Sequence, residues 1–154
     1  MKALKNSWIL GLLVFLCSCG ETPLYTKSYS FKNNSWEQNV KPVFKVQIPD
    51  TTSFYTIQIT IRTTTDYAYN NLWFFIHSRT PKGQVGREPI EMKIANPDGS
   101  WIGKSSGTIV ENQLTFAERK ITIPGEYIFT IEQAVTEQKL KDVLDIGLSV
   151  YKEK

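Results

Sequence analysis

Tyr55-Thr56-Ile57-Gln58-Ile59-Thr60-Ile61-Arg62 alternates apolar and polar residues without a break. Such a period of two is that of a half-buried strand, and its β-branched residues suit a pleated surface. Upstream, Phe44-Lys45-Val46-Gln47-Ile48 has the same alternation, and Pro49-Asp50-Thr51-Thr52-Ser53 supplies turn chemistry between the two. Downstream, Leu72-Trp73-Phe74-Phe75-Ile76-His77 is apolar on both faces. A strand of that kind is expected in the middle of a sheet, with Trp73 in the core.

The pattern continues to the C-terminus. Pro81 to Arg87 is a Gly/Pro loop, Ile90-Glu91-Met92-Lys93-Ile94 alternates, and Asn96-Pro97-Asp98-Gly99 is a turn. A glycine-spaced stretch from Trp101 to Gly107 follows, then the short apolar pieces Leu114 to Phe116 and Ile121 to Ile123. Pro124-Gly125 turns into Tyr127 to Gln133, and Ile146 to Tyr151 ends the series. One short helical turn is expected, over Glu137 to Leu144. Short strands separated by turns, with no β-α-β alternation, predict an all-β fold: an antiparallel β-sandwich, Ig-like or jelly-roll-like. No repeat of 20 to 50 residues is visible.

The N-terminus reads differently. Lys2 and Lys5 form a positive segment, Trp8 to Leu16 a short apolar one, and Leu16-Cys17-Ser18-Cys19-Gly20 follows. The apolar run falls well below the roughly 20 residues a transmembrane helix needs, and it fits a cleaved export leader. A leucine three residues before a cysteine, with a small residue directly before it, is the bacterial lipobox, and Cys19 satisfies it where Cys17 does not. The expected organisation is a signal peptide over residues 1–18, a lipid-modified Cys19, a polar tether over 19–27, and a single β-sandwich domain over 28–154. Two or more acyl chains of the palmitate class would anchor the domain stably to a membrane.

No cysteine remains after Cys19, so a disulfide framework, a thiolate metal site and a cysteine nucleophile are all excluded. Loss of the two leader lysines leaves 16 basic against 15 acidic residues, a net charge of about +1. The basic character of the whole chain therefore belongs largely to the leader and is no sign of nucleic-acid binding.

Motifs for catalysis fail one by one. His77 is the single histidine and ends an apolar strand, so a structural role is expected. Gly99-x-x-x-Gly103-Lys104-Ser105 is one residue short of a phosphate-binding loop and is flanked by strands. Asp98 lacks the Asp-x-Asp-x-Asp-Gly run of a calcium loop and reads as a turn aspartate. Glu88, Glu91, Glu126 and Glu132 could pair as glycosidase acids, but fifteen acids offer such pairs by chance. No metal, no cofactor and no enzymatic activity are expected. Trp101 is the aromatic of most interest. It follows a turn and precedes a glycine-rich loop, so Trp101 with Gly103 and Gly107 is a candidate partner-binding loop. In the competing reading, Trp101 folds back and caps the core.

Several blocks together resemble one family. Tyr69-Asn70-Asn71-Leu72-Trp73-Phe74-Phe75-Ile76 with Pro81-Lys82-Gly83 is similar to the gliding-motility lipoprotein GldH family of Bacteroidetes. So are Gly99-Ser100-Trp101-Ile102-Gly103 with Gly107, and Pro124-Gly125-Glu126-Tyr127 running to Ile131-Glu132-Gln133-Ala134, then Leu140, Val143 and Asp145 to Leu148. Val135-Thr136 stands where the family pattern has Met-Arg, which removes any role for a basic residue there. The resemblance implies a non-catalytic envelope component of the gliding machinery and its associated secretion apparatus, with other machinery proteins as partners. Members also occur in bacteria that do not glide. Surface sorting in this phylum goes with an acidic cluster after the lipid cysteine, and Gly20-Glu21-Thr22-Pro23 offers one acid. The expected location is the outer membrane, facing the periplasm. An envelope glycan-binding module using the Trp101 loop is the alternative from a different class, and a hydrolase is the third.

Overall fold

The computed structural model describes residues 22–153. The leader, Cys19 and the first part of the expected tether lie outside these residues. In chain order the elements are β1 (Tyr25–Ser30), a 3₁₀ turn (Lys32–Asn34), β2 (Ser35–Glu37), β3 (Val43–Ile48), β4 (Phe54–Thr64), β5 (Asn71–Arg79), β6 (Val85–Lys93), β7 (Lys104–Ser106), β8 (Ile109–Lys120), β9 (Gly125–Gln133), β10 (Lys139–Lys141) and β11 (Val143–Lys152). The strands form a five-stranded sheet, β1-β11-β4-β8-β7, a four-stranded sheet, β3-β9-β5-β6, and a two-stranded ribbon, β10-β2. All pairings are antiparallel. The two larger sheets pack face to face as a sandwich.

The opening alternation is β4, with Tyr55, Ile59 and Ile61 fully buried. Phe44, Val46 and Ile48 of β3 face them from the other sheet, as do Leu72 and Phe74 of β5 and Ile131 of β9. Full burial of each such side chain stabilises the fold by roughly 1.5–3 kcal/mol relative to exposure.

Three expectations change. Glu137 to Leu144 is not helical: Lys139–Lys141 is β10, paired with β2 so that Leu140 lies opposite Trp36. Leu140 is buried between two exposed lysines, a period of two that a three-residue strand satisfies and a helix does not. Tyr25 to Lys27, read as tether, belongs to β1, whose register sets Tyr25 opposite Val150. Five of its six residues are exposed, which is why an edge strand passes for linker. Trp73 is not in the core. It lies on the outer face of β5 and is 41% exposed, while Leu72 and Phe74 point inward. β5 is interior to its sheet, between β9 and β6, but among the described residues no second layer packs on Trp73 on its outer face.

The strand directions define two ends. β1, β4, β6 and β9 start at the proximal end, and β3, β5, β8 and β11 finish there, joined by the turns 49–53, 80–84 and 121–124. The distal end holds residues 31–42, 65–70, 94–108 and 134–142. The described chain enters at the proximal end, where residues 22–24 lead into Tyr25.

Candidate functional site

The distal end is closed by a plug built from the sequence around Trp36. Phe31 leaves β1 with its N–H donating to the Leu144 carbonyl at 2.8 Å, and Asn33 and Asn34 turn the chain with positive φ, a conformation asparagine tolerates. Trp36 is then fully buried and stacks on Phe31 at 4.9 Å between ring centroids. Its Nε1–H donates to the Val40 carbonyl at 2.8 Å. Gln133 Nε2 donates to the Trp36 carbonyl at 3.0 Å and ties the plug to β9.

Around this plug lie most of the exposed large apolar side chains. Val43, Tyr69, Trp73, Ile102 and Ile109 are between 36% and 54% exposed, and all belong to the distal loops or the distal ends of strands. The outer face of β5 extends this rim. The Arg87 guanidinium sits 3.4 Å from the Phe75 ring centroid, a cation–π contact across the β5–β6 pair. His77 Nε2 is 2.7 Å from Glu132 Oε2, and Lys41 Nζ is 2.7 Å from Glu132 Oε1. The Lys41 ammonium, with a smaller contribution from His77, holds the Glu132 carboxyl below the usual carboxylate range against partial burial. Asn71 Nδ2 donates to Glu91 Oε1 at 2.7 Å, and the Tyr69 hydroxyl donates to the Glu137 carboxylate. That phenol is raised above its ordinary pKa by the same carboxylate. Of these residues, Tyr69, Trp73, Phe75 and Arg87 are of the types enriched at protein interfaces, and the carboxylates and Lys41 are of the types found at their polar rims.

The structure places each sequence-derived candidate. Trp101 is half-buried and packs against the core at the distal end, with its backbone bridged to Ala95. Asp98 caps the turn before it, its Oδ1 accepting from the Ser100 N–H at 2.9 Å. At Gly103, an added Cβ would stand 2.2 Å from the Glu111 carbonyl oxygen and 2.6 Å from Asn112 Oδ1, so the glycine permits a close approach of loop to β8. Gly107, with φ +59, is the first residue of the two-residue turn joining β7 to β8. The segment carries all three, and each has a packing or turn position there. Trp73, the aromatic that sequence reasoning assigned to the core, is the exposed one.

His77 is partly exposed and hydrogen-bonded to Glu132 on the outer face. Of the four glutamates weighed as acids, Glu91, Glu126 and Glu132 lie on that outer face while Glu88 faces inward, where it lines a cleft at the proximal end. Among the described residues, no three His, Cys, Asp or Glu side chains gather to hold a metal ion.

The GldH lipoprotein family model matches residues 23–150 of the chain. The chain belongs to the GldH lipoprotein family. The gliding motility lipoprotein GldH of Flavobacterium johnsoniae is 28% identical over 155 residues, covering 96% of each chain. The gliding motility lipoprotein GldH homolog of Christiangramia forsetii is 27% identical over 148 residues, covering 91% of this chain and 90% of its own. The family and both relatives carry the name of a lipoprotein. No helix among the described residues is long and apolar enough to cross a membrane. Several residues that carry the GldH resemblance have structural positions: Gly125 takes φ +128 with the Pro81 ring 3.0 Å from where a Cβ would sit, and Leu140 and Val143 are core.

Proposed function

We propose that this chain is a non-catalytic envelope lipoprotein of the gliding machinery, tethered through Cys19 to the outer membrane on its periplasmic side. It acts there by contacts with other machinery proteins through its distal rim. One observation carries this reading: the exposed aromatic and aliphatic side chains Val43, Tyr69, Trp73 and Ile102 gather at the end opposite the one where the tether joins. An anchored domain meets its bilayer at the proximal end and its partners at the distal one. Tryptophan and tyrosine are the residues that most often carry interface energy, and the Arg87–Phe75 pair beside them adds a further anchor.

The test is in-cell crosslinking of the tagged full-length lipoprotein, detergent extraction and mass spectrometry of what it captures. Gliding or secretion-apparatus proteins should be recovered, and recovery should fall in Cys19→Ala and in Trp73→Ala. Recovery of no specific protein, or recovery indifferent to both changes, would sink the reading. The exposed Trp73 beside the polar Asn71–Glu91 pair keeps a glycan-binding module as the second reading. Tryptophan quenching by oligosaccharides, lost in Trp73→Ala, would put that reading first.

A further inference from the structure

At the proximal end the two sheets are not sealed. Between them lies a cleft of about 250 Å³, open to solvent, with Ile57 and Phe116 on one wall and Ile76 and Phe129 on the other. Its volume is just under the roughly 300–1,000 Å³ of sites for drug-sized ligands, and it suits one narrow apolar chain. Two charged side chains also line it, one from each sheet: Glu88 of β6 and Arg119 of β8. Neither forms an ion pair with another described residue. The Arg119 guanidinium lies 5.7 Å from the centroid of the Phe116 ring, so a cation stands over an apolar wall of the cleft. The cleft opens at the end where the chain enters. Tyr25 begins β1 there, at the level of Val150 and Ile57 in the sheet. From Cys19 to Tyr25 is six Cα steps, a reach of roughly 20 Å at most.

We propose that this cleft takes one acyl chain of a zwitterionic phospholipid from the bilayer to which the protein is anchored, with the lipid phosphate at Arg119 and its amine at Glu88. The apolar walls exclude water from the methylenes, which is the main source of affinity. The paired charges at the lining match a head group carrying both signs. They do not match the neutral diacylglyceryl group expected on Cys19, which separates this occupant from the protein's own anchor. Seating one lipid would hold the sandwich upright on the membrane, with the distal rim directed away from it. The inference rests on the anchored reading only for bringing the cleft to the lipid.

The experiment uses the full-length lipoprotein in vesicles of phosphatidylethanolamine and phosphatidylglycerol that contain phosphatidylethanolamine with a diazirine near the end of one acyl chain. After photolysis, mass spectrometry should find the label on cleft residues such as Ile76, Phe116 and Tyr127. Labelling should fall several-fold in Ser78→Phe, which fills the cleft, and in Arg119→Glu, a change at an exposed site that leaves the core intact. It should also fall when the diazirine is carried by phosphatidylglycerol, which has no amine. Label confined to residues 22–24 and the proximal turns would overturn the proposal, as would cleft label unaffected by Arg119→Glu. A dimer of the same preparation by mass photometry, with an unlabelled cleft, would overturn it too and assign the cleft to a second copy. The intact mass of the same protein reports the acyl modification separately, so an absent anchor and an empty cleft give different results.

Discussion

At the distal end, Trp36, Phe31 and Leu140 fill the gap between the sheets, and a two-stranded ribbon covers it. At the proximal end, the same gap stays open as a cleft of about 250 Å³ between Ile57, Phe116, Ile76 and Phe129. Both ends belong to one sandwich and have apolar walls. What differs is the length of chain available to cover them. The proximal connections are the tight turns 49–53, 80–84 and 121–124, while the distal ones are long enough to carry β2, β10 and the Trp101 loop. Closure of a sandwich end is thus a property of its loops, and the strands alone do not decide it.

The sharpest way to break the contrast is Trp36→Ala. It opens the distal end by removing a fully buried indole, its stacking on Phe31 and its hydrogen bond to Val40. A loss of about 3–5 kcal/mol is expected in chemical denaturation. A loss under 1 kcal/mol would mean that the ribbon closes the end without its plug. Gly103→Ala comes next. The new methyl would press on the Glu111 carbonyl and on Asn112, and the loop has to lift away from β8. The expected cost is about 1–3 kcal/mol, with a lower denaturation midpoint and an unchanged slope.

How far these effects could be read from the chain varies by region. β3, β4 and the end of β6 follow from their alternation, because each turns one face to the core, and period two survives in the sequence wherever that holds. β1 and β10 do not follow: one is an edge strand with five exposed residues, the other has a single buried leucine. β8 reads as only Leu114 to Phe116 because its inward face includes the buried polar Asn112. At the site, Gly103 draws attention for a close approach to β8 and Gly107 for a turn, and Trp73 hides in an apolar run. Composition cannot say which face of β5 is covered, since Leu72, Trp73, Phe74 and Phe75 are all apolar. The cleft has no sequence signal, because it is a gap between residues distant in the chain.

Smaller changes sharpen the comparison. Thr63 is fully buried, and its hydroxyl has no hydrogen-bond partner among the described residues, an uncompensated desolvation within the distal half of the core. Thr63→Val should therefore raise stability, by about 1 kcal/mol, and a loss would show that the hydroxyl is satisfied in solution. On the outer face, Lys41 and His77 depress the pKa of Glu132, so its contribution is present above the ordinary carboxyl value of 4.5 and is lost as pH falls below it. Glu132→Gln should cost at most about 1 kcal/mol at neutral pH, and variant and parent should converge in acid. Parallel curves at every pH would remove the ion pair from the account.

The smallest stability effect belongs to the residue with the largest proposed role. Trp73 is 41% exposed on the outer face of its sheet, so Trp73→Ala should change folding stability by no more than about 0.5 kcal/mol. If the distal rim is the partner surface, the same change should nevertheless reduce capture of machinery proteins in cells by an amount that stability cannot explain. Trp101→Ala provides the contrast. Trp101 is half-buried against the core, so its loss should lower stability first and capture only in proportion to the folded protein remaining. Measuring both variants by denaturation and by crosslinking yield separates a contact residue from a packing one. Should Trp101→Ala abolish capture while leaving stability intact, the glycine-rich loop would replace the β5 face as the site of contact.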